Sequence, residues 1–290
     1  MDLVPVRLCT SQFDANQRAF VLNAVGIRNV IEHEDERIVL YVPIEDAAEA
    51  ARQLAEYDEE EARRLRPRPR SVLRVPKIEA PLAYVAVMTF FFVAQQAGAF
   101  GFDWLNAGAA RVGLIVQGEW WRTVTSLFLH ADVGHLLGNL GMGVVVGLLL
   151  AQMLGSGVAW FAMLAAGIAG NVLNAAIQPP SHGAIGASTA VFGGIGLLAG
   201  FTQVAANAPW HRGARKWAPV GAGLALLVLM GTAGENTDVW AHVTGFVAGG
   251  VMGLLLGKFG GNLAGRGRLQ VLAALAIAAA AGAAWWLALR

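Results

Sequence analysis

The chain has 290 residues, of which 56% are hydrophobic and only 14% are charged. Soluble domains carry about 25% charged residues, so this composition excludes an ordinary soluble protein and indicates a chain mostly buried in lipid. The net charge of +1 gives no indication of a nucleic-acid partner. The single cysteine, Cys9, excludes an internal disulfide framework. The first residues are polar and lack the pattern of a cleavable signal peptide, which predicts a cytoplasmic N-terminus.

Residues 1–62 are predicted to form a small soluble unit. Short β-branched runs, such as Ile38 to Val42, indicate strands. The Ala, Leu and charged residues from Glu45 to Glu61 recur at helical spacing. The predicted order is β-α-β-β-α, which favours a ferredoxin-like α+β fold. No metal or phosphate motif lies in this unit, so we expect a packing or interaction domain.

Residues 63–79 are predicted to be a basic linker between this unit and the rest of the chain. Arginines alternate with prolines in it, and this combination opposes helix formation. A basic cluster directly before an apolar run is typical of a segment that is retained in the cytoplasm.

Long uncharged runs fill the remainder of the chain. Residues 80–102 carry no charge and are long enough to cross a bilayer core, which needs about 20 residues. Between Asp132 and Arg212 there is no Asp, Glu, Lys or Arg, enough helix for three to four crossings of a core roughly 30 Å thick. Breaks at glycines and prolines, with later uncharged runs, then predict these seven transmembrane helices: 80–102, 133–154, 158–178, 187–206, 217–234, 239–257 and 269–289. The predicted fold class is an all-α polytopic membrane bundle with a small N-terminal α+β domain.

The predicted bundle consists of a six-helix core, 80–257, and a loop with an added seventh helix, 258–290. Basic residues predict its orientation. If the basic linker is inside, two further basic groups also fall inside: Arg212, Arg215, Lys216, Lys258, Arg266 and Arg268. This distribution follows the positive-inside rule. The second, fourth and sixth helices would then all begin on the outer side.

Polar residues are concentrated where these three helices begin. The second helix carries His130, His135 and Asn139, the fourth carries Ser188, and the sixth carries His242. Polar groups at membrane depth usually face a bundle interior or a water-filled cavity and mark function. A structural hydrogen bond between helices is the alternative for the pair His135 and Asn139, which are four residues apart and share one helix face.

This set of residue types fits acyl transfer. A serine hydroxyl becomes a good nucleophile when a base takes its proton, and histidine is the usual base. The tetrahedral oxyanion needs donors already in place, and Asn139, His135 and the backbone N–H of Ser188 are candidates. Glycines that follow His242 and repeat every four residues, namely Gly245, Gly249 and Gly253, would allow the fourth and sixth helices to approach closely.

The motifs resemble those of the rhomboid intramembrane serine proteases over about residues 80–257. The matching segments are His130-x4-His135-x3-Asn139, Gly186-x-Ser188, Ala241-His242-x-x-Gly245-x-x-x-Gly249 and Glu119-Trp120-Trp121-Arg122. The resemblance implies that Ser188 is the nucleophile and His242 the general base. It also implies that His135 and Asn139 help to bind the oxyanion and that His130 supports that region. Helix seven would be the added helix of a six-plus-one arrangement.

Two positions depart from the family's pattern. The family usually has glycine after the nucleophile, whereas this chain has Thr189, which is expected to crowd the oxyanion pocket or to shift the start of the helix. Four residues after Ser188, Phe192 stands where an aromatic ring commonly stacks on the catalytic histidine. Neither departure removes a catalytic group.

The resulting hypothesis is an intramembrane serine endopeptidase of a bacterial inner membrane. It would cleave transmembrane protein substrates on the outer side, without a metal or other cofactor. A zinc site formed by His130, His135 and His242 would lack a carboxylate or cysteine partner. The alternatives are an inactive relative that binds membrane clients and a small-solute transporter, for which the expected internal symmetry is missing. Asp238, four residues before His242, is a further candidate to orient that histidine as part of a triad.

Overall fold

The chain divides into two compact units, Met1–Ser71 and Val72–Arg290. The structure, a computed structural model, describes these residues: 2–34, 37–65, 78–204, 217–231 and 238–290. Most of the predicted basic linker and the basic group from Arg212 to Lys216 therefore lie outside the described residues.

The N-terminal unit is a three-stranded antiparallel sheet with two helices. Its elements in chain order are β1 (Leu3–Cys9), α1 (Gln12–Ala24), β2 (Val30–Glu34), β3 (Arg37–Pro43) and α2 (Ala47–Leu65). The strand order is β1-β3-β2, so β3 is central and pairs with both neighbours. The assignment of this sheet and its helices to the ferredoxin-like fold stays a prediction.

A single apolar cluster holds this unit together. Leu22 of α1 and Leu40 and Val42 of β3 are each 0% exposed, and Leu54 of α2 is 2% exposed. Burying one such side chain contributes about 1.5–3 kcal/mol. Asp58 of α2 accepts a hydrogen bond of 2.8 Å from Arg18 of α1, which fixes the two helices to each other beside the cluster.

In the residues that the structure describes, the regular elements of the second unit are helices apart from one short strand pair. The N-terminal part of this unit is called the outer segment, because its loops are predicted to lie on the outer side of the membrane. It contains α3 (Glu79–Ala97), α4 (Trp104–Gly108), β4 (Ala110–Arg111), α5 (Val112–Val116) and α6 (Arg122–Thr125). The later elements are α7 (Val133–Leu154), α8 (Ser156–Ile177), β5 (Gly183–Ala184), α9 (Ser188–Val204), α10 (Ala218–Gly231), α11 (Val239–Phe259) and α12 (Gly267–Ala288). Gly155, at φ +80°, separates α7 from α8, and the break predicted between the helices 158–178 and 187–206 follows the end of α8 at Ile177.

Five helices of the described residues are long and apolar enough to cross a membrane: α3, α7, α8, α11 and α12. The predicted span 133–154 has the same bounds as α7, and 239–257 falls within α11. In contrast, α9 has 17 residues and α10 has 14, so both are shorter than the other apolar helices. The count of seven membrane helices stays a prediction.

Helices α9 and α11 pack with their backbones in contact. A Cβ atom added to Gly249 would stand 1.8 Å from the carbonyl oxygen of Gly193, and one on Gly253 would stand 2.4 Å from that of Leu197. From the opposite helix, a Cβ atom on Gly196 would stand 2.0 Å from the carbonyl oxygen of Phe246. Glycine on both faces therefore sets the separation of these helices, as small residues do in lipid.

The outer segment is held by an aromatic cluster that includes the last helix. Trp285 of α12 stacks on Phe91 of α3 with ring centroids 4.9 Å apart, and its ring lies 5.2 Å from that of Trp104 in α4. Aromatic pairs at such distances contribute about 0.5–1.5 kcal/mol beyond their buried area. At the other end of α12, the Gln270 side chain accepts from Val158 N at 3.0 Å and donates to Leu154 O at 3.0 Å.

The glycine contact predicts that, of two adjacent substitutions, only one destabilises the protein. Gly249→Ala introduces a methyl group where the Gly193 carbonyl already lies, and overpacking of this kind costs about 1–3 kcal/mol. Gly250→Ala is the matched control, because its new Cβ atom would have its nearest neighbour 3.9 Å away. We expect thermal unfolding in detergent, followed by circular dichroism, to show a lower melting temperature for Gly249→Ala only. Equal melting temperatures for the two variants would contradict the packing described.

Candidate active site

Ser188 is the first residue of α9, and the two residues before it are buried. Gly186 has φ +128°, a conformation that L side chains rarely adopt, and its N–H donates to the carbonyl oxygen of Ser126 at 2.9 Å. The N–H groups of a first helical turn have no partner within the helix and lie at the positive end of its dipole. The loop thus presents a half-buried hydroxyl beside free backbone donors.

His242 faces this hydroxyl from the first turn of α11. Its Nε2 lies 2.9 Å from Ser188 Oγ, a normal hydrogen-bond distance. The ring of Phe192, one helical turn below Ser188, packs on the imidazole with centroids 4.5 Å apart and planes tilted by 30°. The His242 side chain is 6% exposed, so the hydrogen bond and the aromatic contact hold the ring in one orientation.

His135 approaches the same place from α7. Asp132 caps this helix by accepting from His135 N at 2.8 Å. Nδ1 of His135 accepts from Ala131 N at 3.4 Å, which favours the neutral tautomer with its proton on Nε2. A Cβ atom on Gly186 would stand 2.6 Å from this Nε2 and 3.6 Å from Ser188 Oγ. Because glycine has no side chain, a space remains beside Gly186, and His135 Nε2 and Ser188 Oγ both border this space.

Asn139 is buried one turn further along α7. Its amide nitrogen donates to the carbonyl of His135 at 3.0 Å, and this nitrogen carries a second N–H. The backbone carbonyl of Asn139 accepts a hydrogen bond of 2.9 Å from the hydroxyl of Tyr84 in α3. These contacts fix the α7 face that carries both predicted oxyanion donors.

His130 lies outside α7, which corrects its assignment to the start of that helix. It precedes the capping residue Asp132, and its backbone N–H and carbonyl pair with the side chain of Gln95 at 3.2 and 2.8 Å. Its ring is fully buried and packs edge-on against His135 with centroids 5.1 Å apart. The extended backbone before the helix places His130 behind His135.

Two asparagines of α8 support the site from below, and the sequence analysis did not identify them. Asn171 donates to Thr123 O at 2.9 Å and to Ser126 Oγ at 3.2 Å, next to the carbonyl that holds Gly186. Asn174 donates to Asp238 at 2.8 Å. The sequence pattern could have identified them. Two amide side chains three positions apart share one helix face, and polar groups within an uncharged apolar run mark functional positions.

Arg122 organises the outer segment. It is 6% exposed, pairs with Glu119 at 2.6 Å, and donates to the carbonyls of Asn106 and Ala109 at 2.9 Å each. A buried guanidinium requires such partners. The Arg122 guanidinium therefore holds the two ends of the segment between α4 and α6 together.

The side chain of Thr189 packs between helices. Cβ atoms added to Gly170 of α8 and Gly245 of α11 would lie 2.8 and 3.1 Å from the Thr189 methyl carbon. Thr189 is 3% exposed, and α9 begins at Ser188. The methyl group of this β-branched residue thus occupies the junction of α8, α9 and α11.

Asp238, the candidate third member of a triad, caps α11. Its Oδ1 accepts from Ala241 N at 3.0 Å. Its Oδ2 accepts from Asn174 at 2.8 Å and lies 2.7 Å from Nε2 of His182. Both carboxylate oxygens are therefore engaged at the start of the helix that carries His242.

The space beside Gly186 predicts the effect of a single methyl group. Gly186→Ala would place Cβ against His135 Nε2 and strain the backbone, so we expect Ser188 to lose its reactivity toward a fluorophosphonate probe. Gly183→Ala is the control, because its nearest neighbour would be 3.7 Å away and its φ is not positive. Probe labelling on a gel measures both variants. Normal labelling of Gly186→Ala would show that His135 does not border the serine as described.

Comparison with known proteins places the site within a recognised domain. Residues 117–259, which include Ser188 and His242, match the family model described as the Rhomboid domain. Rhomboid protease GluP of Bacillus subtilis is 30% identical over 197 residues, which cover 66% of this chain and 37% of that protein. Rhomboid-like protease 3 of Toxoplasma gondii is 33% identical over 142 residues, 49% of this chain and 54% of the relative.

The Bacillus subtilis protein YdcA is 30% identical over 141 residues, which cover 49% of this chain and 69% of YdcA. The chain thus spans about half the length, or less, of GluP and of the Toxoplasma relative. The domain match, these relatives and the apolar helices agree with one another. This chain is a multi-pass membrane protein that belongs to the rhomboid family.

Proposed function

We propose that this protein is an intramembrane serine endopeptidase that hydrolyses peptide bonds in or near transmembrane segments of membrane proteins. The observation that carries the proposal is the 2.9 Å contact between Ser188 Oγ and His242 Nε2, at the start of two helices in direct contact. Relatives named rhomboid proteases support the same chemistry. No metal or other cofactor is required by this mechanism.

In the proposed reaction, His242 Nε2 accepts the proton of Ser188 as Oγ attacks the carbonyl carbon of the substrate. The new oxyanion is stabilised by the backbone N–H of Ser188, by His135 Nε2–H and by Asn139. The protonated His242 then donates its proton to the departing amine, which leaves an acyl ester on Ser188. Water, deprotonated by His242, hydrolyses this ester and restores both side chains. Phe192 supports the imidazole, and His130 supports the ring of His135.

The proposal includes the organisation of the whole chain. Residues 1–62 form a small cytoplasmic ferredoxin-like domain, and 63–79 form a basic linker. Residues 80–257 form the six-helix protease core, and 258–290 add a loop and a seventh membrane helix. The protein lies in a bacterial inner membrane with its site open to the outer side, because the basic segments favour the inner side.

Ser188→Ala should abolish cleavage of a model transmembrane substrate and leave the melting temperature unchanged, because it removes only the attacking oxygen. His242→Ala should also abolish cleavage, because the hydroxyl then lacks its base. Substrate cleavage by purified protein in proteoliposomes measures both. A fluorophosphonate probe should label the wild type and leave Ser188→Ala unlabelled. A wild type that is neither labelled nor active would favour an inactive relative that binds membrane clients.

His135→Ala should lower kcat by about 10²–10³-fold, because removal of one oxyanion donor has that effect in serine hydrolases. KM should change little, since the donor acts mainly on charge that develops in the transition state. The measurement is the rate of cleavage as a function of substrate concentration in the membrane. An unchanged kcat would exclude His135 from the oxyanion site.

A further inference from the structure

The loop between α8 and α9, which leads to Ser188, is fixed to the outer segment on one side. Strands β4 and β5 pair through Ala110 with Ala184 and Arg111 with Gly183. Nearby, Val112 N donates to the carbonyl of His182 at 3.0 Å. The backbone of this loop therefore moves with the outer segment.

On its other side, the same loop contacts the start of α11 through a side chain. His182 Nε2 lies 2.7 Å from Asp238 Oδ2, and the side chains of the two residues are 25% and 15% exposed. Asn174 donates to the same oxygen at 2.8 Å from α8. Three segments thus meet at Oδ2 of Asp238: the loop that leads to Ser188, α8, and the start of α11, which carries His242.

This arrangement exceeds what the cap of α11 requires. A helix cap uses one side-chain oxygen, and Oδ1 of Asp238 already accepts from Ala241 N. Oδ2 has two further side-chain partners, which offset the cost of withdrawing a carboxylate from water. The second oxygen therefore has a role other than ending the helix.

The contact between His182 and Asp238 is a second connection between the segments that carry Ser188 and His242. His182 is six residues before Ser188, and Asp238 is one helical turn before His242. These two segments are joined at one end by the contact between His182 and Asp238, and at the other by that between Ser188 and His242. The glycine contact of α9 and α11 sets the helix separation below the site. The contact between His182 and Asp238 ties the loop that leads to Ser188 directly to the cap of α11.

We propose that His182 is a positioning residue, which acts through Asp238 to keep Ser188 Oγ and His242 Nε2 at hydrogen-bond distance. This inference rests on the proposed protease function and adds His182, Asp238 and Asn174 to it. In this proposal, His182 and Asp238 do not contact the substrate. They hold the side chains of Ser188 and His242 at the distance that proton transfer requires. Loss of the contact lowers the rate of the chemical step, because a displacement of about 1 Å can cost up to 10²-fold.

The test uses the full chain in proteoliposomes with four variants: His182→Ala, His182→Gln, Asp238→Ser and the double variant His182→Ala with Asp238→Ser. Asp238→Ser keeps an oxygen that can cap α11 and removes the one that reaches His182. His182→Gln keeps a donor at the position of Nε2. The measurements are kcat, KM, the rate of fluorophosphonate labelling of Ser188, and the melting temperature.

We expect His182→Ala to lower kcat and the labelling rate by the same factor, about ten- to a hundredfold, with KM unchanged. His182→Gln should restore most of the rate. The double variant should be no slower than Asp238→Ser, because the two side chains act through one contact. If His182→Ala does not fold, Asp238→Ser and His182→Gln test the same contact.

Wild-type kcat in His182→Ala, or additive losses in the double variant, would overturn the positioning role. So would a lower melting temperature with kcat and labelling of the folded protein unchanged, which indicates a structural contact only. These outcomes leave the proposed function intact as long as the wild type is labelled and Ser188→Ala is not. A wild type that is neither labelled nor active would overturn the function and, with it, this inference.

Discussion

The contact between the backbones of α9 and α11 is the interaction on which the rest of the site depends. Gly245, Gly249 and Gly253 each face a backbone carbonyl of α9, and these carbonyls are also spaced by one helical turn. Each glycine in a helix is less favourable than alanine by about 1 kcal/mol. In lipid, where apolar burial between helices contributes little, close packing of backbones offsets this cost. The result is a helix separation short enough for a serine and a histidine to form a hydrogen bond.

Buried amides and charges then fix what surrounds this pair. Asn171 and Asn174 of α8 reach to opposite sides of the site, one to the outer segment and the other to the cap of α11. Arg122 closes the outer segment on backbone carbonyls. A polar side chain in a membrane protein is costly unless it is paired, so each of these contacts strongly favours one arrangement of its neighbours.

Much of the helical framework could be predicted from the sequence. The absence of charges between Asp132 and Arg212, together with the glycine and proline breaks, predicted the bounds of α7 and, to within two residues, those of α8, because lipid tolerates few charges and clustered glycines and prolines favour turns between helices. The family was predicted from spaced motifs and the membrane location from uncharged runs, and the comparisons together with the apolar helices confirm both. The roles of Ser188 and His242 stay predictions, since they depend on chemistry that a distance alone does not test.

Other features could not be predicted because they depend on contacts between distant segments. His130 was placed at the start of the second helix, yet that helix begins three residues later, at Val133, after the cap at Asp132. The pair formed by His182 and Asp238 joins residues 56 positions apart, and hydrophobic periodicity carries no information about such a pair. Thr189 was expected to crowd the oxyanion pocket or to shift the start of the helix; the packing of its methyl group beside two glycines of other helices could not be read from the sequence.

Thr189 has a consequence for how this chain can change by mutation. Its methyl carbon lies 2.8 and 3.1 Å from the positions that Cβ atoms on Gly170 and Gly245 would take. Glycine at position 189 alone would leave a void, and alanine at 170 or 245 alone would overlap an occupied position. A Cβ atom on Gly245 would stand 2.3 Å from the Thr189 carbonyl oxygen, and one on Gly170 would stand 2.7 Å from the Cα of Gly245, so both glycines are held in place by backbone atoms. A smaller side chain at position 189 therefore does not make room for alanine at either glycine, and we expect these two positions to vary less than position 189 in sequence divergence.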